Sequence, residues 1–266
     1  MKTIGVIGSG LMGSGIAQVC ATAGFKVWLY DVSHDQLKKS LANIEKFLAK
    51  KNQLAAMQNL NITSEIGDLK EIDFCIEAAT EKPEVKFKIF KDLDRLVKPQ
   101  VILASNTSSI PIASLAEQTM RPEKIIGMHF MNPVPLMPCV EVIASQVTSP
   151  ATLQTTLELA KKLGKTPVTV KDAPGFVVNR ILLPMLNEAI STLEEGLATK
   201  EDIDLAMKLS CNFPMGPLTL ADFVGLDTCL FILEVMDRKP SPLLKKMVAE
   251  GKLGKKSGEG FYKYGL

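Results

Sequence analysis

The stretch VIGSGLMGSGIAQ, residues 6–18, decides the fold of this chain. It overlaps a short apolar, β-branched run at residues 3–7, which predicts a strand, and it leads into an apolar helical pattern that ends at Gly24. A glycine-rich turn between a strand and a helix lets the backbone bend sharply and come close to a ligand. The sequence therefore opens with a predicted strand, a tight turn and a helix.

The glycines of this turn have the spacing of a dinucleotide-binding fingerprint. Gly8 permits the tight turn, Gly10 lets the backbone approach a pyrophosphate, and Gly13 lets the helix pack closely on the strand. The helix start, where Leu11 and Met12 lie, offers free N–H groups and a dipole that favour the negative charge of phosphates. We expect these five residues to contact a dinucleotide.

Asp31 selects among dinucleotides. It ends the second predicted strand, residues 26–30, and lies eighteen residues after Gly13. A carboxylate at this place accepts hydrogen bonds from the adenosine ribose hydroxyls and repels a 2′-phosphate. NAD is therefore the expected cofactor, in preference to NADP.

Strand and helix patterns alternate as far as Lys171, which predicts an α/β fold with a parallel sheet covered by helices on both faces. From Gly175 onward the patterns are helical only, and Pro174 and Gly175 break the preceding pattern. We expect an NAD-binding Rossmann-type domain at 1–172 and a smaller all-helical domain at 173–266. The predicted helices of the second domain cover 175–195, 199–209, 217–236 and 241–250, whereas residues 50–70 show no clear pattern.

The composition excludes several classes of partner. The 266 residues are 46% hydrophobic and carry a formal net charge of +2, so no field that would attract nucleic acid is expected. No apolar run approaches the ~18 residues of a membrane span. Glycines interrupt the N-terminal stretch that otherwise resembles a secretory signal, and the five cysteines have neither metal-binding nor redox-motif spacing. We expect a cytoplasmic protein without a metal.

The apolar second domain, notably Leu218 to Met236, predicts a homodimer formed through that domain.

His129 is the candidate acid–base residue. It lies in HFMNP, residues 129–133, and Glu141 follows twelve residues later. Histidine has the side-chain pKa nearest neutral pH, and a carboxylate on its second ring nitrogen would fix the tautomer and stabilise the imidazolium. Most single histidines are surface or core residues, so the neighbours carry the argument. The other histidine, His34, lies at a helix start and is expected to be exposed to solvent.

Nine segments together resemble the L-3-hydroxyacyl-CoA dehydrogenases, and most closely the bacterial 3-hydroxybutyryl-CoA dehydrogenases. They run from one end of the chain to the other in the order of that family. Besides residues 6–18 they are IEAATE (76–81), ILASNTSS (102–109), GMHFMNPVP (127–135), VEVI (140–143), KDAPGFVVNRIL (171–182), EDIDLAMK (201–208), PMGPLTLADFVGLD (214–227) and GEGFYKY (258–264).

The resemblance implies a reversible, NAD-dependent oxidation of the 3-hydroxyl of a coenzyme A thioester, with short-chain 3-hydroxybutyryl-CoA as the expected substrate. It implies that His129 is the acid–base residue on that oxygen, with Glu141 as its partner, and that Ser108 and Asn179 hold the oxygen. Hydroxyl and amide donors suit a developing alkoxide because they add no net charge. Cofactor-side contacts are implied for Glu81, Lys86, Asn106, Ser108, Asn132 and Lys256.

The resemblance is weakest where the family contacts coenzyme A. The corresponding helical hairpin, at residues 50–66, is shorter here than usual, and Phe47 stands where the family has a serine. Lys50 and Lys51 are the candidate substrate-binding residues in this region.

Two other functions share part of the pattern. The β-hydroxyacid dehydrogenases, which use a catalytic lysine on free acids, have a similar opening motif, but the segments at 105–109 and 129–141 argue against them. A catalytically silent, crystallin-like dinucleotide-binding protein would have the same fold. The intact pair of His129 and Glu141 argues against that alternative.

Overall fold

The computed structural model describes residues 1–265, which divide into two compact units. The first unit comprises Met1–Phe176, and the second begins at Val177. The division lies four residues beyond the one expected from sequence, 172/173. The side chain of Phe176 is buried in an apolar cluster of the first unit, and this packing keeps the intervening residues with that unit.

An eight-stranded sheet forms the centre of the first unit in the described part of the chain. Its order is β3-β2-β1-β4-β5-β6-β7-β8, so the direction of strand addition reverses beside β1. Sheets of this kind bind ligands at the carboxyl ends of the strands next to such a reversal. The strands are β1 Thr3–Ile7, β2 Lys26–Tyr30, β3 Leu60–Thr63, β4 Phe74–Glu77, β5 Ile102–Ser105, β6 Ile125–Phe130, β7 Cys139–Ala144 and β8 Thr166–Lys171.

The prediction of a parallel sheet is wrong at one pair, because β7 runs antiparallel to β6. Only residues 131–138 join these strands, and a parallel connection needs a crossover of roughly a dozen residues or more. The strand β3 lies within the stretch 50–70, where the sequence shows no clear pattern. It has only four residues and pairs with β2 alone, so it has little apolar periodicity to display.

Helices cover both faces of the sheet, as predicted. The apolar cluster on one face of the sheet includes side chains of α1, α2 and α5, and the cluster on the other face includes side chains of α3 and α4. The Ser33 side chain caps α2 by accepting a hydrogen bond from the Gln36 amide. The five helices are α1 Leu11–Thr22, α2 His34–Lys50, α3 Pro83–Leu96, α4 Ile112–Ala116 and α5 Pro150–Lys162, of which the short α4 has no counterpart among the predicted elements.

The second unit is helical, with its own apolar core. A single helix over 217–236 is a wrong prediction, because two helices meet at Gly225, whose φ of +99° no helix contains. In the part of the chain that the structure describes, no helix has the length and apolarity needed to cross a membrane. The helices are α6 Val178–Glu194, α7 Lys200–Ser210, α8 Pro217–Val224, α9 Leu226–Val235 and α10 Pro242–Ala249.

Candidate active site

His129 and Glu141 form a hydrogen-bonded pair in the first unit. The antiparallel register of β6 and β7 places the two residues opposite each other, and His129 Nδ1 lies 2.8 Å from Glu141 Oε2. Glu141 is fully buried, His129 is 8% exposed, and the ring of Phe176 packs against the imidazole. The contact expected from the sequence is therefore present. Because the carboxylate engages Nδ1 as acceptor, the neutral ring carries its proton there and Nε2 is left to exchange protons.

Asn106 connects this pair to the loop that contains Ser108. Its side-chain oxygen accepts a hydrogen bond from the Phe130 backbone amide at 2.9 Å, and its backbone N–H donates to the Glu77 backbone carbonyl at 2.7 Å. The loop after β5 and the end of β6 are thereby fixed together at the carboxyl ends of these two strands, which is the edge meant below. Asn132 follows β6 at the same edge and is exposed.

Glu81 organises the loop of residues 107–109. Its Oε1 atom accepts hydrogen bonds from the Thr107 hydroxyl at 2.6 Å, the Ser108 amide at 2.8 Å and the Ser109 amide at 3.0 Å. Burial alone raises the pKa of Glu81, but the charge of Lys86 and these donors outweigh it, so the pKa lies below its usual value. Glu81 is therefore a support for Ser108 as well as a candidate cofactor contact.

A buried ion pair lies beneath this loop. Lys86 Nζ is 2.6 Å from Glu77 Oε1 and 3.4 Å from Glu81 Oε2, and the side chains of Lys86 and Glu77 are almost completely buried. Ser105 donates a hydrogen bond to the second Glu77 oxygen at 2.6 Å. Sequence reasoning missed Glu77 and Ser105. The available signal was an acidic residue closing the otherwise apolar strand FCIE.

The three glycines of the fingerprint have different roles in the fold. Gly8 has φ +93°, and a Cβ there would lie 2.7 Å from the Ala78 carbonyl oxygen. A Cβ on Gly13 would lie 1.8 Å from the Gly8 carbonyl oxygen, so this close contact between helix and strand needs glycine. Gly10 differs, because its Cβ would meet nothing within 4 Å and its φ of −67° suits any residue. The fold leaves open space at Gly10.

That open space suits a pyrophosphate. Gly10 is the N-cap of α1 and has no side chain to accept a hydrogen bond from the first helical N–H groups. Leu11 and Met12 occupy the first two helical positions; Leu11 is exposed, and Met12 packs partly on the core. Unpaired N–H groups at a helix start, beside space that the protein does not fill, are the features of a phosphate site.

Asp31 binds the glycine turn at Ser9, next to Gly10; this turn and the start of α1 are called the dinucleotide cradle below. Its Oδ2 atom accepts from the amide and hydroxyl of Ser9, at 2.7 and 2.9 Å, and its Oδ1 atom accepts from the Ser33 amide at 2.9 Å. A carboxylate accepts about four hydrogen bonds, so Asp31 can still accept one from a ribose hydroxyl. The residues present therefore fit NAD.

The remaining candidate residues lie away from this edge or in the second unit. Lys50 ends α2 and Lys51 follows it, and both are exposed. Asn179 is buried near the start of α6. Lys256 forms an ion pair with Asp227, with a 2.7 Å distance between Nζ and Oδ2.

A groove of about 440 Å³ opens in the first unit beside Lys51. The side chains of Phe47, Lys162 and Gln18 also line it, together with Leu136 from the loop after β6. The groove thus offers two exposed ammonium groups, an aromatic ring and an amide next to the loop that contains Asn132.

Two family models cover the chain. One, described as the NAD-binding domain of 3-hydroxyacyl-CoA dehydrogenase, matches residues 3–173, and one described as the C-terminal domain of the same enzyme matches residues 175–264. The chain belongs to the 3-hydroxyacyl-CoA dehydrogenase family. The family, the two-part fold, the enzyme class and the NAD cofactor expected from the sequence are thereby confirmed.

Individual relatives cover almost the whole chain. A protein of Deinococcus radiodurans named as a probable 3-hydroxybutyryl-CoA dehydrogenase is 52% identical over 98% of this chain and 99% of its own length. The human mitochondrial hydroxyacyl-coenzyme A dehydrogenase is 46% identical over 99% of this chain and 91% of its own length. The crystal structure of (S)-3-hydroxybutyryl-CoA dehydrogenase PaaH1 from Ralstonia eutropha is 47% identical, covers 100% of both chains and superposes with a TM-score of 0.95.

Substitution of two glycines separates cofactor binding from folding. We expect Gly10→Ala to fold with an unchanged melting temperature and to bind NADH about tenfold more weakly or worse, because the methyl group enters only the open cradle. Gly13→Ala should lose about 3 kcal/mol or more of stability, because its methyl group overlaps backbone. Thermal melts and NADH fluorescence titrations measure both effects. Unweakened NADH binding by the Gly10 variant would contradict the cradle.

Glu81 should make the free energy of unfolding depend on pH in the acidic range. Because its folded pKa is lowered, its stabilising contribution is present above the unfolded value of about 4.3 and is lost as the pH falls through the folded pKa. The free energy of unfolding of Glu81→Gln, measured by urea titration between about pH 6 and pH 3, should therefore fall less steeply than that of the wild type. Glu84→Gln, an exposed position at the start of α3, is the control and should follow the wild type. Parallel curves for the wild type and the Glu81 variant would refute the assignment.

Proposed function

We propose that the protein oxidises L-3-hydroxyacyl-CoA thioesters reversibly to 3-ketoacyl-CoA thioesters with NAD, and that its substrate is short-chain 3-hydroxybutyryl-CoA. The hydrogen bond between His129 Nδ1 and Glu141 Oε2 carries the proposal, because it prepares an imidazole for proton transfer on the unit that has the dinucleotide cradle. The names of the relatives from Deinococcus radiodurans and Ralstonia eutropha support the short-chain substrate.

His129 is the acid–base residue of this proposal. In the oxidative direction Nε2 accepts the proton of the 3-hydroxyl, while Glu141, whose oxygen lies 2.8 Å from Nδ1, stabilises the imidazolium that forms. NAD, when bound, supplies the acceptor for the hydride of carbon 3. In the reductive direction the imidazolium returns the proton to the ketone oxygen.

Neutral donors hold the reacting oxygen. Ser108 lies on the loop that Glu81 and Asn106 fix beside β6, and its hydroxyl, which donates to Glu81 Oε1 at 3.3 Å, is held in place before substrate binds. Asn179 and Asn132 supply amide donors in the same proposal. Lys86 and Lys256, with Glu81, are assigned to the cofactor side.

The groove beside Lys51 is proposed to receive the nucleotide end of coenzyme A. Lys51 and Lys162 offer positive charge to its phosphates, and Phe47 offers a ring face to its adenine. Lys50, the neighbouring exposed cation, adds to the same positive potential.

We also propose a homodimer in the cytoplasm. Leu205 and Leu209 lie one turn apart on α7, and both are exposed, at 49% and 75%. Side chains spaced by four residues share one face of a helix, so α7 presents an apolar strip that a second copy could bury. The free state of all five cysteines supports a reducing compartment.

Acetoacetyl-CoA and NADH test the proposed reaction. The wild type should oxidise NADH with acetoacetyl-CoA and not with free acetoacetate, which a β-hydroxyacid dehydrogenase would prefer. His129→Gln should lose about a thousandfold in kcat while NADH binding persists, because glutamine cannot exchange the proton. His34→Gln, at the other and exposed histidine, is the matched control and should keep full activity. Inactivity of the wild type towards every acyl-CoA would favour the silent dinucleotide-binding alternative.

Charge reversal tests the groove. The double variant Lys51→Glu/Lys162→Glu should raise the KM for acetoacetyl-CoA about tenfold, because it replaces attraction of the phosphates by repulsion. Its KM for the acetoacetyl-pantetheine thioester, which lacks the nucleotide, should stay the same. Lys38→Glu, on α2 but outside the groove, is the control. Equal changes for both thioesters would show that the groove does not bind the nucleotide.

Sedimentation velocity tests the dimer. The wild type should sediment as two chains of 29.0 kDa, and Leu205→Glu/Leu209→Glu as a single folded chain, since the new charges cannot be buried. Met120→Glu, at an exposed apolar side chain of the first unit, should remain dimeric. A dimeric double variant would place the interface elsewhere.

A further inference from the structure

We propose that Glu77 is a positioning residue for the dehydrogenase reaction, which holds the Ser108 loop and the Lys86 ammonium in place without touching substrate or cofactor. The inference rests on the function proposed above. Glu77 ends β4 and is fully buried. It lies beside β1 and β5, between the strand that leads into the glycine turn and the strand that leads into the serine loop.

One carboxylate fixes three pieces of chain. Glu77 Oε1 accepts hydrogen bonds from Lys86 Nζ at 2.6 Å and from the Ala79 amide at 2.7 Å. Glu77 Oε2 accepts from the Ser105 hydroxyl at 2.6 Å. The turn after β4, the helix α3 and the end of β5 are therefore joined through a single side chain.

Ser105 connects Glu77 to the loop of residues 107–109 by a further hydrogen bond. Its hydroxyl oxygen accepts a hydrogen bond from the Thr107 amide at 3.2 Å. The Thr107 hydroxyl in turn donates to Glu81 at 2.6 Å and accepts from the Ile110 amide at 2.9 Å. Residues 105–110 are thus held from below by Glu77 and from the side by Glu81, with Ser108 between the two supports.

Lys86 is the second route by which Glu77 acts. The ammonium lies closer to Glu77 than to Glu81, because its Nζ atom is 2.6 Å from Glu77 Oε1 and 3.4 Å from Glu81 Oε2. Loss of the charge on Glu77 would leave the buried ammonium with Glu81 as its ion-pair partner and would draw Glu81 away from the amides of Ser108 and Ser109. Glu77 therefore keeps Glu81 available for the loop.

Stability alone does not account for this ion pair. A buried ion pair is costly to desolvate, and well-packed apolar side chains of similar volume often stabilise a fold as well or better. Arg121 and Asp94 form a comparable pair, at 2.6 Å and with both side chains 9% exposed, but Arg121 bonds to carbonyls at the end of α3, remote from the serine loop. That pair provides a matched reference for the purely structural effect of removing a buried charge.

Glu77→Gln tests the role, because it removes the charge and keeps the shape. We expect kcat with acetoacetyl-CoA and NADH to fall about a hundredfold, as for an ångström-scale misplacement of reacting groups, and the KM for acetoacetyl-CoA to stay within about threefold. Asp94→Asn should lower the melting temperature and leave kcat within about twofold. A Glu77 variant that melts earlier but keeps the wild-type kcat would show a structural role only and would overturn the inference.

Ser105→Ala gives a second test that does not remove a charge. It should lower kcat about tenfold without a change in the KM for acetoacetyl-CoA, and it decides the inference if the Glu77 variant does not fold; an unchanged kcat would then overturn it. In the double variant Glu77→Gln/Ser105→Ala the loss should be no larger than in Glu77→Gln, because both changes break the same contact. Losses that multiply would contradict this route.

A wild type without turnover would contradict the proposed function, whereas an active wild type with an active Glu77 variant contradicts only the positioning role.

Discussion

The hydrogen bond between His129 Nδ1 and the buried carboxylate of Glu141 is the interaction on which the account depends. A fully buried carboxylate is costly unless it is paired, and the pairing is made possible by the antiparallel register of β6 and β7. The same bond fixes which ring nitrogen of His129 is free to exchange a proton. The short connection at 131–138 thus determines both the direction of β7 and the chemistry of the imidazole.

The rest of the active-site edge is built in two layers. Residues that could meet ligands lie on turns at the carboxyl ends of the strands, as at Gly10 and Ser108. Beneath them, Glu77, Lys86 and Glu81 form a charged support whose hydrogen bonds leave the serine loop little freedom. Such pre-organisation matters because donors that are already oriented need no rearrangement when charge develops on the substrate oxygen.

Local features of this site were readable from sequence. The glycine spacing and the alternation of strands and helices each depend on residues close in the chain, and the structure agrees with both. The pairing of His129 with Glu141 was accessible because both residues stand on neighbouring strands with a short connection.

Features that depend on distant partners were not readable. The role of Glu77 arises only when β4 and β5 lie side by side and α3 returns over them, and nothing in FCIE specifies those neighbours. The short edge strand β3 and the break at Gly225 had too weak a local pattern to be separated from a loop and from a continuous helix. Coordinates were likewise needed to show that a Cβ at Gly10 would meet open space, so that the fold itself does not require this glycine.

Nitrogen-15 NMR of the imidazole ring tests the central claim most directly, because the chain has only two histidines and a His34→Gln variant leaves one signal set to assign. For the neutral imidazole of His129 the account predicts a protonated Nδ1 and an unprotonated Nε2, because Nδ1 faces the Glu141 carboxylate. A neutral ring with its proton on Nε2 would contradict the account, because that nitrogen could not then accept the proton of the substrate hydroxyl.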